Sequence, residues 1–482
     1  MIMQAIGSRQ RVTIALKGRK ALVVGLAKTG ISTAKFLMAQ GAVVTTTDML
    51  PASKIKGIDD LQGTGITVET GGHSVKNFLN ADLIVLSPGV PPQIEPLKEA
   101  RRKGIEIISE IELAYNFIKE PIVAIAGTNG KTTTTTLIGK IFEDAGKAAF
   151  VGGNIGLPLI EYVSSEQPAE YVIVEVSSFQ LEGVRNFRPH VAILLNITED
   201  HLDRYTSFQE YSAAKFRLFE NMHKGDYAIV NIDDPVIKSR LKAEGVKGSR
   251  GQGSLEPSNP RSPEPRLLPF SSSSVLKQGV YYKDGSIVYS VEGKREIYQT
   301  GNFKLKGVHN IENIMAAIAA AEACGIPKDI ILKTIEGFKG LPHRMELIRE
   351  INGVSYYNDS KGTNIGALQK SLEGLSSPVI LIAGGKDKGG DYTALNDLIK
   401  SKVKLLILLG EAKDKIRDAF KGFTDIVMVE SLKQAVCTAY NRAENGDVVL
   451  LSPACSSFDM FKDYKERGEI FRKEVMRLEV RG

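Results

Sequence analysis

The stretch "AIAGTNGKTTTTTLIG", residues 124–139, decides the fold of the segment around it. An apolar run leads into two glycines, and a lysine and a row of threonines follow. The P-loop pattern G-x-x-x-x-G-K-[ST] requires a glycine five positions before Gly130, where this chain has Ile125. Because the rest of the pattern is present, we expect a buried strand, a shortened phosphate-binding loop from Gly127, and a helix that begins at Lys131.

The predicted loop has the groups needed to bind a nucleoside triphosphate. The backbone N–H groups of Gly127–Gly130 can converge on phosphate oxygens. The Lys131 ammonium can neutralise the β- and γ-phosphates, and the Thr132 hydroxyl can bind Mg²⁺. The alternative is a glycine turn that only begins a threonine-rich helix. The order of strand, loop, lysine and helix favours the nucleotide site.

Length and composition limit the kind of protein. At 482 residues, 43% apolar and 24% charged, the chain suits a globular protein of about three domains. The net charge of +6 suits small anionic ligands, and no Lys/Arg stripe interleaved with aromatics indicates a nucleic-acid partner. Three scattered cysteines form neither a disulfide framework nor a thiolate zinc site. Without a signal peptide or an apolar run of about 18 residues, we expect a cytoplasmic protein with no membrane span. We also expect a monomer.

The order of strands and helices predicts an α/β protein of three domains. Residues 20–48 fit a strand, a glycine turn, a helix and a second strand, which indicates a Rossmann-like N-terminal domain over 1–119. The turn Gly25–Gly30 lacks the middle glycine of G-x-G-x-x-G, so a turn without a ligand is the alternative. Strands that alternate with helices predict a central P-loop ATPase-like α/β domain over 120–340 and a C-terminal doubly wound α/β domain over 341–482.

One segment of the central domain departs from this pattern. Residues 249–274 hold five of the 19 prolines of the chain and eight serines. A segment so poor in apolar residues is not expected to bury enough surface to pack. We therefore predict a mobile surface insertion there.

Three further positions in the central domain could bind a metal ion or carry charge. Glu175 ends the strand of "YVIVEVSS", where a carboxylate beside a phosphate loop can hold Mg²⁺. His201 lies between Asp200 and Asp203 after the next strand, and it fits either a metal site or the acidic first turn of a helix. By its sequence alone, Lys215 is interpreted as a solvated helix lysine.

Polar side chains also gather near the strand ends of the C-terminal domain. Cations and hydroxyls in "NDSKGTN" and "SPACSSFD" suit a ligand that carries carboxylates. They are Asp359, Lys361, Thr363, Asn364, Ser456 and Ser457. Cys455 has no evident catalytic partner and is expected to be a buried core residue. Arg344 in "LPHR" either reaches phosphates from another domain or belongs to a surface hinge.

Together these motifs resemble those of the Mur ligases. The likeness runs along nearly the whole chain and includes, in order, the N-terminal glycine turn, G-T-N-G-K-T at 127–132, "EVSSFQLE", "NITEDHLDRY", "HNIEN", "LPHR", "NDSKGTN" and "SPACSSFD". The resemblance implies an ATP-dependent ligase of peptidoglycan precursor synthesis with Mg²⁺ as cofactor, two ions being expected. The last two motifs are most similar to those of the family member that adds D-glutamate to UDP-N-acetylmuramoyl-L-alanine.

The resemblance also implies roles for individual residues. Lys131, His201 and Lys215 are implied to be catalytic, and Lys215 is implied to be carbamylated by CO₂, which makes it an oxygen ligand. Positions that match ATP contacts are Gly127, Thr128, Asn129, Gly130, Lys131, Thr132, Thr133, Asn313, Arg344 and Asp359. Positions that match metal ligands are Thr132, Glu175, His201 and Lys215. Positions that match the UDP-sugar site are Gly25, Leu26, Thr29, Gly30, Asp48, Ser87, Pro88, Gly89, Asn154 and Ser177. Positions that match the D-glutamate site are Lys361, Thr363, Lys388, Ser457 and Phe458.

The chemistry implied by the resemblance is the activation of a carboxylate as an acyl phosphate, which the amine of D-glutamate then attacks. A sister ligase that adds L-alanine to UDP-N-acetylmuramate is the nearest alternative. A nicotinamide-dependent oxidoreductase and a GTPase-like switch are alternatives from other classes. Ala27 in place of the middle glycine and Met49 after Asp48 depart from the family pattern and leave the uracil contacts open.

Overall fold

The computed structural model describes residues 14–165, 167–200, 204–244, 264–305, 307–375 and 377–479. Within these ranges the strands form three sheets that follow one another along the chain. His201 and residues 249–263 of the predicted insertion lie outside the described residues, as do the first 13 residues.

The N-terminal domain is a parallel sheet with helices. Its elements are β1 (Lys20–Val24), α1 (Lys28–Ala39), β2 (Val43–Asp48), β3 (Thr67–Thr70), α2 (Val75–Leu79), β4 (Leu83–Leu86), α3 (Glu95–Arg102), β5 (Glu106–Ser109) and α4 (Glu110–Tyr115). The sheet order is β3-β2-β1-β4-β5, with every pair parallel. The strand order reverses between β1 and β4, which is where ligands bind in such sheets. This arrangement confirms the Rossmann-like prediction and places the turn after β1 at the reversal.

The central domain is built on a nine-stranded sheet. Its elements are β6 (Ile122–Ala126), α5 (Lys131–Asp144), β7 (Ala149–Gly153), α6 (Leu159–Ser164), β8 (Tyr171–Glu175), α7 (Ser178–Glu182), β9 (Val191–Leu194), α8 (Phe208–Phe216), β10 (Tyr227–Asn231), α9 (Pro235–Glu244), β11 (Arg266–Ser271), β12 (Gly279–Lys283), β13 (Ser286–Val291), β14 (Lys294–Gln299), α10 (Val308–Ala323) and α11 (Lys328–Gly337). The order is β14-β13-β12-β11-β10-β9-β6-β8-β7. Strand β6 lies inside the sheet between β9 and β8 and is wholly buried, so the loop that follows it is held on a rigid base.

The structure corrects part of the predicted insertion. Arg266–Ser271 forms β11, which pairs in parallel with β10 and buries Leu268 and Phe270. Pro269 is tolerated because the pairing with β12 begins only at the following residue. The prediction that all of 249–274 is a mobile insertion is therefore wrong for this strand. The prediction rested on the composition of the whole segment, in which many prolines and serines surround one short apolar run.

The C-terminal domain is doubly wound, as predicted. Its elements are β15 (Glu346–Ile351), β16 (Val354–Asn358), α12 (Ile365–Glu373), β17 (Val379–Gly384), α13 (Asn396–Lys402), β18 (Val403–Leu409), α14 (Lys413–Phe420), β19 (Asp425–Met428), α15 (Leu432–Arg442), β20 (Val448–Leu451) and α16 (Tyr464–Met476). The sheet order is β15-β16-β20-β17-β18-β19, with a separate apolar cluster on each face. Strands β16, β20 and β17 are neighbours, so the loops after them meet at one edge. Among the described residues, no helix combines the length and apolarity needed to cross a bilayer.

Candidate active site

The phosphate loop lies between β6 and α5 and needs glycine at its last position. Gly130 has φ of +83° and is the residue before the first turn of α5. A Cβ atom added there would lie 2.2 Å from Oδ1 of Asn313 on α10. The loop and α10 therefore approach closely, which brings Asn313 to the position predicted for an ATP contact.

Asn196 holds the shape of this loop. Its Oδ1 accepts hydrogen bonds from the backbone N–H of Thr128 at 3.1 Å and of Asn129 at 2.8 Å. Its side-chain amide donates back to the Asn129 carbonyl at 3.1 Å. Sequence reasoning missed Asn196, although its place directly after a buried strand and beside "ITED" was a signal.

Two lysines meet at one backbone oxygen of the loop. The carbonyl of Gly127 accepts hydrogen bonds from Nζ of Lys131 at 2.8 Å and from Nζ of Lys215 at 2.9 Å. Lys131 also donates to the Thr128 carbonyl at 2.8 Å. Both side chains therefore end beside the predicted phosphate loop, and the phosphate-binding role of Lys131 stays a prediction.

Lys215 is buried, so the interpretation as a solvated helix lysine is wrong. Its side chain is 2% exposed, and its Nζ lies 4.6 Å from the centre of the Tyr211 ring. Burial, together with the neighbouring charge of Lys131, lowers the pKa of Lys215 well below 10.5. A lowered pKa increases the share of the uncharged amine, which is the form that reacts as a nucleophile.

The predicted metal ligands on β8 and α5 are in contact. Oγ1 of Thr132 donates a hydrogen bond to Oε2 of Glu175 at 2.8 Å, and Nδ2 of Asn154 donates to Oε1 at 2.7 Å. Glu175 is 2% exposed. Within the described ranges no group of three or more His, Cys, Asp or Glu residues is arranged to hold a metal. The hydroxyl and carboxylate oxygens of Thr132 and Glu175 still fit a hard cation.

The C-terminal domain reaches this loop. Arg344 donates from its guanidinium to Oγ1 of Thr132 at 2.7 Å, so it is not a surface hinge. Asn364 donates to Asp200 at 3.0 Å, and Nζ of Lys388 lies 3.7 Å from the same carboxylate. Contacts from three separate loops therefore join the two domains at the site.

A cavity of about 290 Å³ runs between the central and C-terminal domains from the phosphate loop. Its walls include Asn129, Gly130, His309, Asn313, Arg344, Asp359 and Lys370. Asp359 is buried and accepts hydrogen bonds from the hydroxyls of Ser371 at 2.9 Å and Ser452 at 2.8 Å. Burial raises its pKa to about 6. Six of the ten predicted nucleotide contacts thus line one space, whereas Gly127, Thr128, Lys131 and Thr132 are not among its walls.

The predicted amino-acid contacts lie at the ends of neighbouring strands. Lys361 follows β16 and lies with Nζ 4.0 Å from the centre of the Tyr464 ring. Burial, and then the charge of Arg344, lower the pKa of Lys361 to about 8. Ser457 follows β20 and is 2% exposed, whereas Phe458 is 70% exposed. Tyr464 was missed by sequence reasoning, although an aromatic residue between charged ones in "KDYKERG" was a signal.

The turns of the N-terminal domain form a second cleft. Asp48 accepts hydrogen bonds from the backbone N–H of Leu26 at 2.6 Å and of Leu50 at 2.8 Å, and it lines a cleft of about 720 Å³. A Cβ atom added at Gly30 would lie 1.8 Å from the Gly25 carbonyl oxygen, so this glycine is required. Ala27 has an extended backbone, with φ of −69°, so the missing middle glycine has no conformational cost.

The remaining predicted UDP-sugar positions lie near the boundary of the first two domains. Ser87 donates to the Gly25 carbonyl at 2.7 Å, and Arg204 donates to the Pro88 carbonyl at 2.8 Å. Ser177 accepts a hydrogen bond from the backbone of Gln180 and so caps α7. The structure therefore places the "SPG" turn beside the turn after β1, while the hydroxyl of Ser177 has a local structural partner.

Comparisons with known proteins agree with this division. Three family models match the chain: a Mur ligase MurD-like N-terminal domain over 19–109, a Mur ligase middle domain over 125–321, and a Mur ligase glutamate ligase domain over 343–455. The chain is 51% identical to a UDP-N-acetylmuramoylalanine–D-glutamate ligase of Geotalea uraniireducens (strain Rf4), with 96% of this chain and 98% of the relative covered. The chain belongs to the Mur ligase family. A relative of the same name in Geobacter sp. (strain M21) is 52% identical, with 95% of this Mur ligase and 98% of the relative covered.

Solved structures agree with the three-domain fold of this Mur ligase. A pseudomurein peptide ligase type C of Methanothermus fervidus has a TM-score of 0.59 at 19% identity, covering 96% of this chain and 100% of that chain. The UDP-N-acetylmuramate–alanine ligase MurC of Thermotoga maritima has a TM-score of 0.55 at 18% identity, covering 95% and 99%. At such low identity these likenesses establish the fold, and the exact domain boundaries stay a prediction.

Proposed function

We propose that this Mur ligase uses ATP to add D-glutamate to UDP-N-acetylmuramoyl-L-alanine in peptidoglycan precursor synthesis. The observation that carries the proposal is 51% identity over 96% of the chain to a relative named for D-glutamate ligation. The contact between Arg344 of the C-terminal domain and Thr132 of the phosphate loop supports it, because an ATP-driven ligase must bring its nucleotide and amino-acid ends together.

The reaction we propose has two steps. A carboxylate is a poor electrophile, so the γ-phosphoryl group of ATP is first transferred to the terminal L-alanine carboxylate, which gives an acyl phosphate and ADP. The amine of D-glutamate then attacks the acyl carbon, and the tetrahedral intermediate collapses to an amide and phosphate. The ammonium of Lys131, which now donates to Gly127 and Thr128, would turn to the ATP phosphates, and Arg344 would add a second cation.

We include Mg²⁺ in this proposal, because Oγ1 of Thr132 and Oε2 of Glu175 lie 2.8 Å apart beside the phosphate loop, and oxygens are the ligands that Mg²⁺ prefers. Thr132 and Glu175 would hold one ion, with His201 and carbamylated Lys215 as the predicted further ligands of a pair. When bound, Mg²⁺ neutralises charge on the phosphate oxygens. The burial and lowered pKa of Lys215 support carbamylation, because the uncharged form of the amine can form an N–C bond with CO₂ and release a proton.

The substrates would be divided between the outer domains. Asp48, the turn Gly25–Gly30 and the turn Ser87–Gly89 would hold the UDP-sugar, with Asn154 and Ser177 from the central domain. Lys361, Thr363, Lys388, Ser457 and Phe458 would surround D-glutamate, whose two carboxylates match the cations there. The monomeric state and the cytoplasmic location stay predictions.

Phosphate release tests this function directly. We would supply ATP, Mg²⁺ and UDP-N-acetylmuramoyl-L-alanine, and add D-glutamate, L-glutamate, L-alanine or D-aspartate separately. We expect release with D-glutamate and little with the others. Release with UDP-N-acetylmuramate and L-alanine alone would favour the sister ligase, and release without any amino acid would favour the switch.

A further inference from the structure

Arg467 on α16 is a buried cation close to the amino-acid end of the site. It is 2% exposed and among the largest fully buried side chains. Within the described part of the chain, its hydrogen bonds go to one serine hydroxyl and to backbone carbonyls. This guanidinium therefore differs from the arginines that form ion pairs at the surface, and its burial calls for a structural explanation.

The acceptors of Arg467 belong to two different loops. Nε donates to Oγ of Ser360 at 2.9 Å, and one terminal nitrogen donates to the Ser360 carbonyl at 2.7 Å. The terminal nitrogens also donate to the carbonyls of Cys455 at 3.3 Å and Ser456 at 3.4 Å. Ser360 directly precedes Lys361, and Ser456 directly precedes Ser457. One rigid, planar group therefore spans the loops after β16 and β20.

The third loop is tied to the same point. The backbone N–H of Lys386 donates to the Ser456 carbonyl at 3.0 Å, which couples the loop after β17 to the loop after β20. A Cβ atom added at Gly385 would lie 3.3 Å from a terminal nitrogen of Arg467. Lys388 lies two residues after Lys386 in the same loop. All three loops that carry the predicted D-glutamate cations and hydroxyls thus meet at Arg467.

Burying a charged group without a close carboxylate is costly, and burial lowers the pKa of Arg467 to about 10. An apolar side chain of similar volume would avoid that cost. Arginine alone offers five N–H donors in a fixed plane, which suits simultaneous contact with several carbonyls. The free-energy cost of burying this arginine is explained if the site depends on the spacing of the loops.

We propose that Arg467 is a positioning residue for the amino-acid site, and that its guanidinium fixes the distance between Lys361 and Ser457. This inference rests on the proposed function for the identity of the amino acid. Arg467 itself does not touch the reacting atoms. Its loss lets the loops move apart, which weakens D-glutamate binding, while the phosphate loop and the turns of the N-terminal domain, which lie in other domains, are kept.

The test compares Arg467→Met and Arg467→Lys with a matched control, Arg477→Met. Arg477 lies at the C-terminal end of the same helix and pairs with Glu474 at the surface, away from the three loops. The KM values for D-glutamate, ATP and the UDP precursor are measured for each variant, together with thermal unfolding.

A misplacement of about 1 Å in a site can lower the catalytic rate about 100-fold. We therefore expect Arg467→Met to raise the KM for D-glutamate about 10- to 100-fold. The KM for ATP should stay within about twofold, Arg467→Lys should recover part of the loss, and the control should resemble the wild type.

Two results would overturn the inference. One is an unchanged KM for D-glutamate in Arg467→Met, and the other is an equal rise in all three KM values, which a merely structural role would give. If Arg467→Met does not fold, Ser360→Ala removes one acceptor and should give a smaller rise confined to D-glutamate. Failure of the proposed function is separate, because the wild type would then prefer another amino acid, and the same comparison would be made with that one.

Discussion

The phosphate loop of the central domain and the predicted amino-acid site of the C-terminal domain are held in shape by different kinds of contact. The loop is contiguous, from Gly127 to Thr132, and one side chain, Asn196, makes three hydrogen bonds to it. The amino-acid end is assembled from three loops, and Arg467 contacts a residue 107 positions away in the chain. A contiguous site can be recognised from a motif, whereas an assembled site depends on contacts between residues that lie far apart in the chain.

The largest effect should come from the contiguous region, because Lys131 supplies charge directly to the transferred phosphoryl group. We expect Lys131→Ala to lower kcat about 1,000-fold or more, measured as phosphate release. Binding of the UDP precursor, measured by calorimetry, should be unchanged. Lys140→Ala is the control, because Lys140 lies on the same helix and pairs with Asp144 at the surface. Loss of turnover and precursor binding together would contradict the separation of the sites.

Lys215 tests whether the chemistry of the loop depends on an uncharged amine. Because burial lowers the pKa of Lys215, falling pH converts the amine to the ammonium, which cannot add to CO₂. We expect kcat to fall as pH falls, and added bicarbonate to restore part of it. Lys215→Ala should lose about 100-fold and should not respond to bicarbonate. An unchanged kcat in CO₂-depleted buffer would contradict the proposed carbamate.

Arg344 connects the two regions, so its removal tests whether they act together. We expect Arg344→Ala to lower kcat about 10- to 100-fold, because the C-terminal domain loses its hydrogen bond to Thr132. Arg344→Lys should recover little, since a lysine lacks the planar pair of donors. Arg349→Ala, on the neighbouring strand β15, is the control. A kcat equal to that of the wild type would mean that the contact is incidental.

Asn196 tests how much of the loop is fixed from outside the motif. Asn196→Ala leaves the N–H groups of Thr128 and Asn129 without this acceptor, at a cost of about 1–3 kcal/mol. We expect the KM for ATP to rise about tenfold, while the KM for D-glutamate stays the same. An unchanged KM for ATP would show that the glycines alone shape the loop.

The smallest effect should come from the first turn. Ala27→Gly restores the middle glycine of the fingerprint, but Ala27 already has an ordinary backbone conformation. We expect the affinity for the UDP precursor to change by about twofold or less, with a loss of stability of about 0.5–1 kcal/mol. A large gain in affinity would mean that the alanine side chain obstructs the phosphates.

The sequence predicted the sites that depend on local order. Lys131, Thr132 and Glu175 were identified from strand ends and a loop, and the structure brings them together. For Arg344 the sequence left a contact across domains and a surface hinge open, and its hydrogen bond to Thr132 agrees with the first. Residues that follow parallel strands come together because the carboxyl ends of such strands meet at one edge, which follows from topology alone.

The sequence failed where burial depends on distant packing. Lys215 was interpreted as a solvated lysine of an amphipathic helix, yet its Nζ donates to the Gly127 carbonyl, 88 positions away in the chain. Arg467 and Asn196 were missed because their partners lie far away in the chain. The strand Arg266–Ser271 was missed because its prolines and serines concealed two buried residues.

The central claim is that the middle domain activates an acid by phosphorylation before the C-terminal domain delivers an amine. Isotope transfer tests this most directly. UDP-N-acetylmuramoyl-L-alanine labelled with ¹⁸O in the terminal carboxylate is incubated with ATP and D-glutamate, and the released phosphate is analysed by mass spectrometry. The account predicts one ¹⁸O atom in the phosphate for each amide formed from fully labelled acid, and phosphate free of the label would contradict it.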